Sequence, residues 1–400
     1  MTVMVNPVSS KVPLPRGAER TAVLDELKDI VTRDDFRELL AVARSAVADP
    51  DHGFFGPDSV MWKLAKPLPT VPLMLWYAGM LEVFEPRITA GFSTARMPEG
   101  GTPTAMIRQE TDPIPRFARS YEAFMDWFVG DDETATRTAQ RIFGYHSRIV
   151  TRMPEDVGGS RYTAGTAFSA LEPHLLVFTV LTQMVPLRQI YERYCGPLTF
   201  SESLQFHQEA LRFGAMLGVD PELMPTSWDE MQRWLDDFYR DPDNVWVDEE
   251  FLEAILAIFG SRFVAVTVMH WNSHTFPPAL AERVRALPQM KKYRHVARAV
   301  DPIMKVLFRL LPDAIMVSPR WRDAMDRVGR KGWTRSSRIA ARLIPQPFGT
   351  GRRNFSDISE SASPRMKATM AADRFLDESD QLLEGAAAAG CPMSPSIRKR

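Results

Sequence analysis

An all-α fold is what this chain predicts, and three observations carry that expectation. Apolar residues recur at three- and four-residue steps over long stretches. Alternation with a period of two is almost absent. Four hundred residues with 45% hydrophobic content can bury a large core. No internal repeat of fixed period occurs, and neither does a glycine-rich phosphate loop or a Gly-x-Ser-x-Gly elbow.

Residues 1–20 are rich in proline and polar groups and read as a loose arm. Ala22–Val47 reads as one helix, with Leu24, Leu27, Ile30, Val31, Leu39 and Leu40 as its apolar positions. A Gly/Pro-punctuated turn, Asp51–Trp62, opens the next helix, with Asp58 and Ser59 as cap candidates. Val71–Phe84 is apolar nearly all round, so it is expected to be buried on most sides. Residues 91–115 form an irregular connection, and Pro115 starts a helix at Arg116–Val129.

The helix that follows is the most informative. Asp131, Asp132 and Thr134 supply N-cap chemistry and negative charge. Ile142, Phe143, His146, Ile149, Val150 and Met153 then fall on one helical face. An imidazole on such a face needs a hydrogen-bond partner, a charge partner or a metal. From periodicity alone, a satisfied core histidine is the commoner outcome than a ligand.

Arg152–Ala170 reads as a loop. A long apolar helix runs from about Glu172 to Tyr194, bent or slipped at Pro186. Gly196–Ser201 is a break with Ser201 as cap, and Ser203–Leu217 is a helix stopped by Gly218. Further helices are expected at Asp229–Tyr239 and at about 249–270, 278–286 and 295–311. The domain plan is a flexible arm at 1–20, one helical domain at 21–348 and a mostly polar tail at 349–400. An amphipathic helix is expected within the tail at Pro364–Leu383.

Composition excludes several function classes. A formal net charge of −1 with 25% charged residues argues against a dedicated nucleic-acid binder. Cys195 and Cys391 are the only cysteines, and no Cys/His zinc spacing occurs. The N-terminus lacks the pattern of a signal peptide, and no apolar run is a convincing membrane span. A cytoplasmic location is expected.

Four groups of residues are chemically suggestive. Arg116 and Ser120 are four apart and share a helix face thirty residues before His146. If the two helices pack, a guanidinium and a hydroxyl come near the imidazole; otherwise they are a surface arginine and a helix-interior serine. His270 and His274 have a chelating spacing, but Trp271 stands where a zinc protease needs glutamate, and helix-end capping near Pro277 is favoured. His174 lines a pocket or caps its helix, and Glu85 and Glu172 are carboxylates beside prolines with no partner evident in sequence. Abundant Met (21) and Phe (23) suit an adaptable apolar pocket as well as an ordinary core.

Several segments in order resemble the mpaB-type oxygenase family, which includes the latex-clearing proteins, or rubber oxygenases. They are Phe55-Gly-Pro-Asp-Ser-Val-Met-Trp62, Glu85-Pro-Arg-Ile-Thr-Ala-Gly91, Arg116-x-x-x-Ser120 and Tyr145-His146-Ser-Arg-Ile-Val150. His174-Leu-Leu, Tyr191-Glu-x-Tyr-x-Gly-Pro-Leu-Thr199 and Leu217-Gly-Val-Asp-Pro-Glu-Leu-Met-Pro225 continue the series, so the resemblance covers about residues 50–240. It implies a globin-like helical core around a b-type haem, with His146 as the axial iron ligand. It matches the family's Arg-x-x-x-Thr to Arg116 and Ser120, residues that polarise bound oxygen or hold a propionate. The implied chemistry is O2-dependent oxidation of a hydrophobic substrate, isoprenoid or otherwise unsaturated.

The alternatives are a haem peroxidase or peroxygenase, and a helical haem- or lipid-binding protein without turnover. The chain departs from its relatives at Glu85, where many have histidine, at Phe143 and Val150, where arginines are frequent, and at Ser120, which replaces threonine. These departures bear on substrate and reaction outcome rather than on the ligand.

Overall fold

The computed structural model describes residues 17–344 apart from 28, 97–113, 155, 157–160, 248, 250, 251, 253–261, 292 and 293. Among these residues the chain runs α1 (Gly17–Glu26), α2 (Arg33–Ser45), α3 (Val60–Ala65), α4 (Thr70–Glu82), α5 (Pro86–Arg96), α6 (Ile114–Val129) and α7 (Asp132–His146). Strands β1 (Val150–Arg152) and β2 (Ala167–Ser169) precede α8 (Pro173–Tyr194), α9 (Phe200–Met216) and α10 (Trp228–Arg240). The last helices are α11 (Arg262–Asn272), α12 (Pro278–Ala286), α13 (Arg294–Leu310), α14 (Asp313–Met316), α15 (Pro319–Arg327) and α16 (Arg335–Ala341). The all-α class therefore holds, with one small antiparallel ladder that pairs Val150 with Ser169 and Arg152 with Ala167. None of the described helices is long and apolar enough to cross a membrane.

The centre of the core is α8. It runs as one helix through Pro186, and most of its side chains are buried. Helices α3, α4, α9, α10 and α13 all pack on it. That arrangement follows from the sequence, because α4 and α8 are apolar on nearly every side and each must be surrounded. Phe178 stacks on Phe238 at 4.3 Å between α8 and α10. Tyr239 closes the same layer by donating to the Leu81 carbonyl of α4 at 2.9 Å.

Four sequence expectations are corrected. The stretch Ala22–Val47 is two helices, because Thr32 and Asp35 form a reciprocal capping box that starts α2. There the Val31 N–H leaves the helical ladder and donates to the Leu171 carbonyl at 2.9 Å. Thr199, boxed with Glu202, is the N-cap of α9 in place of Ser201. The connection expected at 91–115 begins only after α5, and residues 97–113 lie outside the described residues. Within the expected loop Arg152–Ala170, both ends form the β ladder. Of the helix expected at about 249–270, the second half forms α11, while residues 250, 251 and 253–261 and all of the tail, including Pro364–Leu383, lie outside the described residues.

Helix α3 is held by a buried carboxylate. Glu209 on α9 accepts from the Val60 and Met61 N–H groups at 3.2 and 2.7 Å and from Gln205 Nε2 at 2.8 Å. These are unpaired donors of the first turn of α3. Burial pushes the Glu209 carboxyl up to about 6, with the three hydrogen bonds opposing that rise. A carboxyl raised on folding contributes stability that is full below its unfolded value and is lost as pH rises through the folded value. From about pH 4.5 to about pH 7 the wild type should lose roughly 2 kcal/mol relative to Glu209→Gln. Urea midpoints of the two proteins across that range measure it, and parallel curves would contradict it.

Candidate functional site

Three of the segments singled out by the sequence, Glu85–Gly91, Arg116–Ser120 and Tyr145–Val150, border one end of a helical hairpin. Helices α6 and α7 pack together and are joined only by Gly130 and Asp131, so they run antiparallel. The turn is tight. A Cβ on Gly130 would lie 2.1 Å from the Asp126 carbonyl oxygen, and one on Gly53 would lie 2.0 Å from the Gly130 oxygen, so neither position admits a side chain. Asp131 caps α7 by accepting from the Thr134 N–H at 2.7 Å.

Arg116 lies 13 residues before Val129, and His146 lies 14 residues after Asp132. At 1.5 Å per residue these are about 20 and 21 Å from the turn. The backbones of Arg116 and His146 therefore reach the same level of the hairpin, away from the turn. Ser120 sits one turn further in and is half-buried. The Arg116 side chain lies outside the described residues, so only its place on α6 is stated.

His146 is half-buried and is the last residue of α7. The helix expected to continue to Met153 stops here. Ser147 N–H closes the last turn on the Phe143 carbonyl, and Ile149-Val150-Thr151, a β-branched run, enters the ladder with β2. Ile149, Val150 and Met153 are buried, but from the strand side rather than along the helix face. Phe143 keeps its place on that face and stacks on Phe36 of α2 at 4.1 Å. Arg20 Nη2 on α1 donates to the Ser147 carbonyl at 2.7 Å, which puts a cation at the negative end of α7. The Tyr145 ring lies edge-on to the imidazole at 6.1 Å.

Helix α5 borders the same end. A Cβ on Gly91 would lie 3.4 Å from the Ile149 side chain and 3.8 Å from the Phe168 ring, so α5 packs beside the β ladder there. One turn back stands the residue the sequence reading missed. Arg87 Nε donates to Glu85 Oε1 at 2.7 Å, and Arg87 Nη1 donates to Glu172 Oε2 at 2.9 Å. The two carboxylates without an evident partner are thus joined by one guanidinium. Glu85 also accepts from the Ile88 N–H at 2.7 Å, and Glu172 from the Ser169 N–H at 2.9 Å. The Tyr162 ring lies 4.8 Å from the Arg87 guanidinium carbon.

Arg87 is 4% exposed and Glu85 is 0% exposed. Burial alone would lower the Arg87 pKa, but the charges of Glu85, Tyr162 and Glu172 outweigh it and hold the group firmly cationic. Its Nη2 has no hydrogen-bond partner, the one donor of the cluster left over. The signal for this cluster was Glu85-Pro86-Arg87 itself, a charged pair opening a helix between two apolar segments.

The other histidines are placed elsewhere. His174 is exposed at the start of α8, with its ring 4.8 Å from Trp234 and 5.7 Å from Phe238. Burial, then Arg87 and Arg161, push its pKa down. The expected pair of His270 and His274 does not share a helix. Helix α11 ends at Asn272, and His274 lies in the turn beyond it.

A haem makes limited demands on such a site. The porphyrin supplies the equatorial nitrogens, so the iron needs one histidine from the chain. Among the described residues no group of three or more His, Cys, Asp or Glu side chains is gathered as a bare metal ion requires. One half-buried histidine can meet that single-ligand demand.

A family model described as ER-bound oxygenase mpaB/B'/Rubber oxygenase, catalytic domain, matches residues 62–350. No curated protein and no solved structure matches the chain.

Proposed function

Because this chain belongs to the mpaB/rubber oxygenase catalytic-domain family, we propose that it is a cytoplasmic haem-b oxygenase acting with O2 on a hydrophobic, isoprenoid or otherwise unsaturated substrate. The observation that supports the reading is that three of the family's segments, Glu85–Gly91, Arg116–Ser120 and Tyr145–Val150, border one end of the α6–α7 hairpin. There His146, the N-terminal end of α6 and the middle of α5 come together. When bound, the haem supplies O2 activation.

In this reading His146 holds the iron through one imidazole nitrogen. The other nitrogen needs an acceptor to fix the tautomer. Arg116 keeps its charge at any working pH and donates in a fixed fork, so it orients an anionic group or a polarised oxygen. Ser120 offers a single, replaceable hydroxyl on the same helix face.

The roles of α6 are testable by comparison. Arg116→Ala should lower product formation roughly 100-fold at matched haem content, the scale for one lost donor at a developing charge. Ser120→Ala should have a smaller effect. Arg137 is the control, being exposed on α7 and paired with Glu133. Equal and negligible effects of Arg116→Ala and Arg137→Ala, with O2 and a polyisoprenoid substrate, would remove Arg116 from the site.

A further inference from the structure

Helix α13 is apolar on two sides. Its inner row, Val300, Met304 and Phe308, packs on the core, and Phe308 stacks on Tyr194 at 4.8 Å. Asp301 fixes that face, accepting from Arg193 Nε at 2.5 Å and from the Tyr194 hydroxyl at 3.0 Å. The second row faces outward. Ile303 is 56% exposed, Val306 52% and Leu310 77%, and Leu307 and Leu311 are exposed beside them. Steps of three and four make this one continuous stripe, and a soluble surface rarely leaves such a stripe uncovered.

A second exposed apolar pair lies nearby. Helix α16 carries Ile339 and Leu343, 57% and 80% exposed, at and just beyond its C-terminal end. The two helices are brought together through α14, which follows α13 after two residues and packs on α16. Arg322 locks this corner. Its Nη2 donates to the Asp313 carbonyl of α14 at 2.6 Å, and its Nη1 donates to the Gly332 carbonyl, ahead of α16, at 2.7 Å.

The charge around these apolar groups is mainly positive, although Asp313 of α14 is an exposed acid between them and Arg330 is paired with Asp58. From Val328 to Ile344 there are five basic residues, Arg330, Lys331, Arg335, Arg338 and Arg342, and no acidic one, in a chain of net charge −1. Arg335, Arg338 and Arg342 are exposed, as are Arg298 and Arg309 on α13. Asp301, the single acid of α13, is turned inward and paired. An amphipathic helix with arginines beside its apolar row is the chemistry that lies in the interface of an anionic bilayer.

We propose that the outer face of α13 and the exposed side of α16 dock the protein peripherally on an anionic lipid surface. Apolar side chains enter the headgroup boundary and arginines pair with lipid phosphates. The inference holds whether or not haem is bound and does not rest on the oxygenase reading.

The test is co-sedimentation of the full chain with vesicles. Phosphatidylcholine–phosphatidylserine vesicles are compared with phosphatidylcholine alone, at low and high salt. The wild type should bind the anionic vesicles, and added salt should weaken binding. Arg335→Gln/Arg338→Gln/Arg342→Gln should lose about 100-fold, at about fivefold per arginine. Ile303→Ser/Val306→Ser/Leu310→Ser should lose binding altogether. These positions are already exposed, so unchanged circular dichroism and melting should accompany the loss.

Absence of wild-type binding at low salt overturns the proposal, as does equal binding by the wild type and the serine variant. A wild type that dimerises, and whose dimer the serine variant dissolves without any vesicle binding, overturns it in favour of a second copy of the chain.

Discussion

Replacing His146 with alanine should abolish stoichiometric haem binding while the helical fold persists. The histidine closes α7, where the chain turns into β1, and its backbone is held by the Ser147 cap and the ladder. A smaller side chain there leaves those backbone bonds in place. No other residue of α7 carries a ligating nitrogen of this kind, since Arg137 and Arg141 are guanidinium groups that do not deprotonate. His174→Ala and His270→Ala should keep the haem, because His174 packs tilted against Trp234 and His270 belongs to α11. Each variant is purified after haem supplementation and its Soret absorbance is compared with its far-ultraviolet circular dichroism. An unchanged spectrum in His146→Ala would put the iron ligand elsewhere.

Arg87→Ala should be the most destabilising single substitution around the site, by about 3–5 kcal/mol. The guanidinium is hydrogen-bonded to Glu85, which is fully buried, and it also bridges to Glu172 at the start of α8. Without it, a buried carboxylate keeps its desolvation cost and loses its counter-charge. Adding Glu85→Gln to Arg87→Ala should recover part of the stability. Urea unfolding of the three proteins measures this. A loss below 1 kcal/mol in Arg87→Ala at neutral pH would mean that the cluster does not hold α5 to α8 (a surface ion pair contributes on that order).

Much of the helical plan is legible in the sequence because helix formation leaves local marks. Asp131 and Ser59 act as the caps their types suggest, and α12 spans the residues the periodicity gives. The break before α2 was also written locally, in Thr32-x-x-Asp35, but with aspartate where a capping box more often has glutamate or glutamine. The end of α7 was not readable from period alone. Ile149, Val150 and Met153 satisfy a helical step, and only pairing with Ala167–Ser169 decides for a strand.

The candidate site divides along the same line. The place of His146 follows from a local pattern, and its proximity to Arg116 follows from a two-residue connection between two helices of similar length. The Glu85–Arg87–Glu172 cluster joins groups 85 residues apart, and no local rule pairs them. The outer row of α13 shows the converse limit. Periodicity reveals an amphipathic helix, but not that a second apolar row is left outside after the first has been packed.

The central claim is that this helical domain holds one b-type haem as its oxygenase cofactor, and one spectrum tests it most directly. The full chain is purified after expression with haem supply, and its absorption is recorded before and after dithionite, with haem quantified against protein. A Soret band at one haem per chain that shifts on reduction is the predicted result. A folded, helical protein with no Soret band after haem reconstitution would contradict it.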